Sequence, residues 1–215
     1  MGSEHRVSQR RRVAQEAATM LYTGQEKEYK QAKLRAAKNL GIRAVPSNAE
    51  VAVELDSIAE EREGHEKQLR LIEKRRAAFR LMQTLEAFHP LLVGSVWRGT
   101  AHRSSDIDVI TYTGNPQKLL AILKGSGYTI DLAEERQVTK EGRKEHSLHV
   151  HLTLPSGEEA EIVVRSPEEI GRRVKCEIYG DQVTGLTLKQ LEKVLEEDPR
   201  RKFVSTCGGR RRTGN

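Results

Sequence analysis

The stretch VGSVWRGTAHRSSDIDVI, residues 93–110, decides how the second half of this chain folds. It begins with a pair of small residues, Gly94-Ser95, and ends with two aspartates, Asp106 and Asp108. The alternation of charged and apolar residues in its last part, DIDVI, predicts a β-strand. Because residues two apart face the same side of a strand, both carboxylates are expected side by side on one face.

Two adjacent carboxylates repel each other and become stable together when a hard divalent cation lies between them. Mg²⁺ prefers one or two carboxylates together with phosphate oxygens and water, so the pair predicts a phosphate-bearing ligand nearby. The Gly94-Ser95 turn can hold this ligand, because glycine lets the backbone approach closely and the serine hydroxyl adds a donor. Arg98 and Arg103 are near enough in sequence to neutralise the remaining negative charge.

The segment GSVWRGTAHRSSDID, residues 94–108, resembles the signature of the DNA polymerase β-like nucleotidyltransferase superfamily. That signature is Gly-Ser, a spacer of similar length and Asp-x-Asp on the next strand, and the similarity includes Arg98-Gly99 and Ser105. The resemblance implies a small mixed sheet with helices. It also implies transfer of a nucleoside monophosphate from a nucleoside triphosphate to an acceptor hydroxyl, with release of pyrophosphate.

A third acid on a neighbouring strand completes the site in this superfamily, and GEEAEIVVRS, residues 157–166, resembles that element. We favour Glu161 as the third acid because apolar residues flank it, with Glu159 on the same strand face as the alternative. The resemblance implies that Asp106, Asp108 and Glu161 are the catalytic residues and the ligands of a two-Mg²⁺ site. The residues implied in nucleotide binding are Gly94, Ser95, Arg98 and Ser105.

The residues before this stretch have the apolar spacing of amphipathic helices. Gly24 and Gly41 are expected to interrupt these helices. Ser47, with Glu50 three residues later, predicts a capping box at the start of another helix. We therefore expect a helical N-terminal region over residues 1–89.

A catalytic core is expected over residues 90–200 and a basic flexible tail over residues 201–215. Within the core, SLHVHLTLPSGEEAEIVVR, residues 147–165, predicts a β-hairpin. A capping box at 166–169 predicts a helix directly after it, and another at 187–190 predicts the last helix. The expected fold class is α+β, a helical N-terminal region followed by a small polymerase β-like nucleotidyltransferase core with a mixed sheet and helices.

Three further side chains allow more than one interpretation. His149 and His151 alternate on one strand face, and we interpret them as solvent-facing or substrate-contacting because no third metal ligand has a suitable spacing. Trp97 lies inside the signature, where it either stacks on a base or packs its loop against the helices.

Composition narrows the class of protein. The 215 residues carry a formal net charge of +6, which favours a polyanionic partner such as nucleic acid or a nucleoside triphosphate. Cys176 and Cys207 are the two cysteines and lack CxxC spacing, so neither a disulfide framework nor a zinc knuckle is indicated. No segment approaches membrane-spanning length and the N-terminus has no signal-peptide apolar stretch, so we expect a cytoplasmic protein without membrane contact.

The leading hypothesis is a Mg²⁺-dependent nucleotidyltransferase that acts on an RNA end. One alternative is a minimal nucleotidyltransferase that modifies a protein hydroxyl or a small molecule, and another is a non-catalytic nucleotide- or RNA-binding module. Many superfamily members place a long helical domain after the core, whereas only about fifty residues follow Glu161 here. Acceptor recognition is therefore left to the N-terminal helices or to a partner chain, and a homodimer through those helices is one expectation.

Overall fold

The computed structural model describes residues 2–140 and 143–204. Its helices are α1 (Gly2–Tyr22), α2 (Tyr29–Leu40), α3 (Asn48–Glu63), α4 (His65–Thr84), α5 (Gly94–Arg98), α6 (Pro116–Gly125) and α7 (Leu188–Glu197). Its strands are β1 (Leu91–Val93), β2 (Ile107–Tyr112), β3 (Thr129–Lys140), β4 (Arg143–Thr153), β5 (Glu159–Arg165) and β6 (Leu186–Thr187). Within the described residues, no helix has both the length and the apolar character needed to cross a membrane.

The six strands form one mixed sheet in the order β3-β4-β5-β2-β1-β6. Strands β2 and β5 are parallel, and the other neighbouring pairs are antiparallel. The parallel register places Asp108 opposite Glu161, and the antiparallel register places Val93 opposite Asp108. Strand pairing therefore brings the Gly-Ser turn, the aspartate pair and Glu161 to one region of the sheet.

Helices α1 to α3 share a hydrophobic core of their own. Its fully buried members include Val13, Ala17, Ala18, Ala32, Ala36, Val51 and Ala59. Gly41 ends α2 with φ 64°, and the capping box of Ser47 and Glu50 is present at the start of α3. The predicted helical N-terminal region and the α+β fold class are confirmed.

Helix α4 buries its apolar residues in the core of the sheet, and its Lys67 also pairs with Asp56 of α3. Leu81 and Met82 of α4, and Leu85 directly after it, are fully buried in the same hydrophobic core as the central residues of β1 and β2. The predicted boundary between residues 89 and 90 follows the change from helix to strand. The two hydrophobic cores, that of α1 to α3 and that of α4 with the sheet, instead divide the chain near Gly64.

The prediction of a helix directly after the hairpin is wrong. Pro167–Glu169 form a single 3₁₀ turn, and no side-chain capping hydrogen bond is present there. Gly171 then adopts φ 77°, a conformation that favours glycine and redirects the chain. Residues 170–185, which we call the covering segment, continue without a regular helix or strand as far as β6.

The beginning of the predicted tail packs onto the core. The Phe203 backbone N–H donates to the Arg98 carbonyl oxygen at 2.9 Å, and the Phe203 ring packs against the core of the sheet. Lys202 binds the carboxylate of Asp56 at 2.7 Å. The rest of the tail, 205–215, lies outside the described residues.

Candidate active site

The Gly-Ser turn lies against the second aspartate. Gly94 follows β1 directly and adopts φ 69° at the start of α5. A Cβ atom added at Gly94 would lie 1.9 Å from Asp108 Oδ2. Glycine is therefore required here both for the backbone conformation and for the close approach to the carboxylate.

Gly94→Ala is expected to displace the Asp108 carboxylate and to lower any activity of the site by roughly 10- to 100-fold, because a misplaced catalytic group loses its geometry. Gly127→Ala is the matched control, since Gly127 adopts φ 82° with nothing within 4 Å of an added Cβ. Both variants carry similar backbone strain, but only the first has a clash. Equal activity of the two variants would contradict the importance of this contact.

Three carboxylates share the site, and their negative charges are poorly compensated. Burial, followed by the charges of Glu161 and Asp106, raises the pKa of Asp108 to about 7. Burial and then the charge of Glu159 raise the pKa of Asp106, while Lys74 acts in the opposite direction. The negative charges of these acids destabilise one another, and a cation bound between them would relieve this repulsion.

The donor set fits Mg²⁺ bound together with phosphate. Asp106 and Asp108 supply hard oxygen ligands, and Mg²⁺ in proteins takes one or two carboxylates plus phosphate oxygens and water. Across residues 2–140 and 143–204, no group of three or more His, Cys, Asp or Glu side chains is arranged to hold a metal by itself.

Glu161 is in contact with the two histidines of β4. Its Oε1 lies 2.6 Å from His149 Nδ1 and 3.7 Å from His151 Nε2. His149 Nε2 lies 3.0 Å from Ser147 Oγ. The sequence predicted that the histidines share a strand face, but their contact with Glu161 depends on the register of β4 with β5.

The alternative acid, Glu159, is exposed at the start of β5. The register pairs Asp108 with Glu161, and Glu159 lies one step beyond the pair formed by Ile107 and Ala160, towards Asp106. Both glutamates therefore lie beside the aspartate pair. The choice of Glu161 as third acid stays a prediction.

A cavity of about 490 Å³ opens beside Gly94, Ser95 and Asp108. Its other walls come from β1, β2 and the covering segment. Four cations line it, namely Arg98, Arg165, Arg172 and Lys175. A cavity with the Asp108 carboxylate at one end and cations along its wall suits a phosphate-bearing ligand. Sequence reasoning missed Arg172 and Lys175 because it predicted a helix where the covering segment begins.

Arg98 has a buried guanidinium, which donates to Asp181 Oδ2 at 3.1 Å and to Oδ1 at 2.6 Å. The guanidinium carbon also lies 4.4 Å from the ring centres of both Trp97 and Tyr179. Arg98 thus holds the covering segment against α5, and its role in nucleotide binding stays a prediction. Trp97 is 3% exposed in the core of the sheet, which matches the packing interpretation.

The loop before the aspartate pair is held from two sides. Ser105 Oγ accepts the His102 backbone N–H at 3.0 Å, and the Ser105 N–H donates to the His102 carbonyl at 3.0 Å. The backbone N–H of Arg103 donates to Glu63 Oε1 at 3.2 Å. The guanidinium carbon of Arg103 lies 5.1 Å from the Tyr22 ring centre. The N-terminal helices therefore contact the loop that carries Ser105.

A mixed sheet that places two aspartates and a glutamate on adjacent parallel strands, beside a Gly-Ser turn, is the arrangement of polymerase β-like nucleotidyltransferases. Residues 90–207 match the family model of the nucleotidyltransferase domain, which is more than half of the chain. The chain belongs to this family, as its sequence signature predicts.

Solved structures that match part of this chain include a poly(U) polymerase, an RNA terminal U-transferase and the GLD-2/RNP-8 complex. Cid1 poly(U) polymerase with the UTP analogue UMPNPP is 16% identical, with a TM-score of 0.31 over 47% of this chain and 32% of that chain. A cytoplasmic RNA terminal U-transferase is 16% identical, with a TM-score of 0.27 over 54% and 34%. The GLD-2/RNP-8 complex is 13% identical, with a TM-score of 0.30 over 57% and 44%. This chain spans about a third of the length of the first two. No curated protein matches it.

Proposed function

We propose that this chain transfers a nucleoside monophosphate from a nucleoside triphosphate to the hydroxyl of an RNA end and releases pyrophosphate. The observation that carries the proposal is the placement of Asp108 opposite Glu161, with the Gly94 turn against Asp108 and a cation-lined cavity beside it. Membership of the nucleotidyltransferase family supports the same reaction class.

Asp106, Asp108 and Glu161 are the proposed ligands of two Mg²⁺ ions. When bound, Mg²⁺ neutralises charge on the transferring phosphoryl group and lowers the pKa of the acceptor hydroxyl. The raised pKa of Asp108 supports this assignment, because burial and the neighbouring carboxylates leave its negative charge uncompensated by protein groups.

The triphosphate is proposed to lie in the cavity beside the Gly-Ser turn. Backbone N–H groups of the turn and the Ser95 hydroxyl donate to phosphate oxygens, and Arg172 and Lys175 offset the charge of the leaving pyrophosphate. Arg98 acts through Asp181, by keeping the covering segment over the cavity. Holding the phosphates in this way orients the α-phosphate for in-line attack.

The positive charge of the chain supports an RNA acceptor. The chain carries a formal net charge of +6. Beside the loop that leads to the aspartate pair, the guanidinium groups of Arg62 and Arg103 lie 5.2 and 5.1 Å from the Tyr22 ring centre, and both arginines are exposed. Exposed arginines in this position suit contacts with a phosphate backbone. A homodimer through the N-terminal helices stays a prediction.

The purified chain, incubated with Mg²⁺, total cellular RNA and each α-labelled nucleoside triphosphate in turn, is expected to label RNA. Incorporation should stop in EDTA, because without Mg²⁺ the negative carboxylates and phosphates repel each other. A γ-labelled triphosphate is the matched control and should leave RNA unlabelled, since that phosphate departs with pyrophosphate.

Label on a protein or small molecule in place of RNA would identify a different acceptor. Mg²⁺-dependent binding of the triphosphate without transfer to any acceptor would reject the enzyme in favour of a nucleotide-binding module. Absence of both transfer and binding would reject the proposal as a whole.

A further inference from the structure

A chain of hydrogen bonds across β4 and β5 ends on the proposed third acid. His149 Nδ1 lies 2.6 Å from Glu161 Oε1, and His149 Nε2 lies 3.0 Å from Ser147 Oγ. The side chains of His149 and Glu161 are 15% and 22% exposed, so water competes little for their contact. A sheltered polar network of this kind restricts the rotamers of its members.

The chemistry of the three groups sets the direction of both hydrogen bonds. An ionised carboxylate only accepts, so the ring of His149 carries its proton on Nδ1 and donates to Glu161. In a neutral ring Nε2 is then an acceptor, and the Ser147 hydroxyl donates to it. Both ring nitrogens are engaged, which fixes the orientation of the imidazole and, through it, of Glu161 Oε1.

We propose that His149 is a positioning residue, which holds the Glu161 carboxylate by Oε1 and leaves Oε2 available to bind Mg²⁺. This inference rests on the proposed function, because it takes Glu161 as the third acid. A glutamate carboxylate moves on three side-chain torsions, so a fixed donor reduces the entropy lost when it binds a ligand. Hydrogen bonds to metal-ligating groups contribute about 10- to 100-fold to affinity or activity in other sites.

His151 provides a matched comparison within the same strand. It is the direct cross-strand partner of Glu161, but its Nε2 lies 3.7 Å from Oε1, beyond hydrogen-bond distance. Its side chain is 35% exposed. His149 and His151 therefore share residue type, strand and face, and differ in whether they hold the acid.

The test compares His149→Ala, His149→Asn and His151→Ala by steady-state transfer kinetics. His149→Ala is expected to lower kcat by about 10- to 100-fold, the range for groups that orient a ligand. KM for the nucleotide should change by less than about threefold, because His149 does not line the nucleotide cavity. Asparagine keeps an N–H donor near the position of Nδ1, so His149→Asn should recover kcat to within about fivefold of wild type. His151→Ala should retain nearly the wild-type kcat.

A second measurement is independent of turnover. Mn²⁺ binding, followed by electron paramagnetic resonance with a non-hydrolysable nucleoside triphosphate present, should weaken about tenfold in His149→Ala and remain near wild type in the other two variants. If the wild type transfers no nucleotide, the proposed function fails, and Mn²⁺ affinity still decides the role of His149. Equal Mn²⁺ affinities for His149→Ala and His151→Ala, or no recovery by asparagine, would overturn the inference.

Discussion

Asp108→Asn is expected to abolish nucleotide transfer while it stabilises the fold. Asparagine keeps the size of the side chain but removes a charge that the proposed Mg²⁺ site requires, so the rate should fall on the order of a thousandfold or more. The same charge is unfavourable in the protein without ligand, because burial, Glu161 and Asp106 all oppose its ionisation. The amide removes that repulsion, and the expected gain in the free energy of unfolding is about 1–3 kcal/mol at pH 8.

The gain in stability of Asp108→Asn over the wild type should increase as pH rises. An aspartate in the unfolded chain ionises near pH 4, whereas Asp108 in the folded protein ionises at a pKa of about 7. Between these values the folded state keeps a proton that the unfolded state has released, so this group makes the wild type less stable as pH rises. The advantage of Asp108→Asn is therefore small near pH 4 and complete above pH 7.

Thermal and urea unfolding in EDTA, at several pH values, measure the difference between the two proteins. Asp131→Asn is the control, since Asp131 is an exposed acid on β3 whose carboxylate accepts from Thr153 at 2.9 Å. That variant should retain activity and change the free energy of unfolding by less than about 0.5 kcal/mol. An Asp108→Asn protein that is inactive because it is less stable than wild type would contradict this account of the site.

Local signals in the sequence predicted much of the fold. The capping boxes at Ser47 and Thr187 are both present, and each begins a helix where predicted. The alternating residues after Asp106 form β2, and the hairpin turns between β4 and β5 as expected. These features depend on residues within a few positions of one another, so pattern and spacing are sufficient to find them.

Contacts between distant residues were not predictable in the same way. The guanidinium of Arg98 pairs with Asp181, which lies far along the chain in a segment predicted to begin as a helix, so no local pattern could predict this contact. The bond from His149 to Glu161 needs the register of two strands, which no local pattern encodes. The signature contains both the Gly94 turn and Asp108, so their proximity was predicted. The sequence did not show that they lie close enough to exclude a Cβ atom at Gly94.

Arg75 is another residue whose role only the structure reveals, and its replacement should cost the most stability. The side chain has no exposed surface. It donates to four backbone carbonyl oxygens, those of Val96 at 3.1 Å, Trp97 at 2.9 Å, Pro199 at 2.8 Å and Arg201 at 2.8 Å. Burial lowers its pKa to about 10, which leaves the guanidinium charged at neutral pH. One side chain of α4 therefore joins α5, which carries the Gly-Ser turn, to the chain after α7.

Arg75→Ala leaves these carbonyls without their donor and opens a cavity, so the free energy of unfolding should fall by about 3–5 kcal/mol. For a chain of this size the melting temperature should drop on the order of 10 °C. Arg75→Lys keeps a charge but not the planar fork, and should lie between alanine and wild type. The adjacent Arg76 is exposed, so Arg76→Ala should change stability by less than about 0.5 kcal/mol. If Arg75→Ala melted within about 2 °C of Arg76→Ala, the guanidinium would not join these elements, and the support of the Gly-Ser turn would have to come from the hydrophobic core alone.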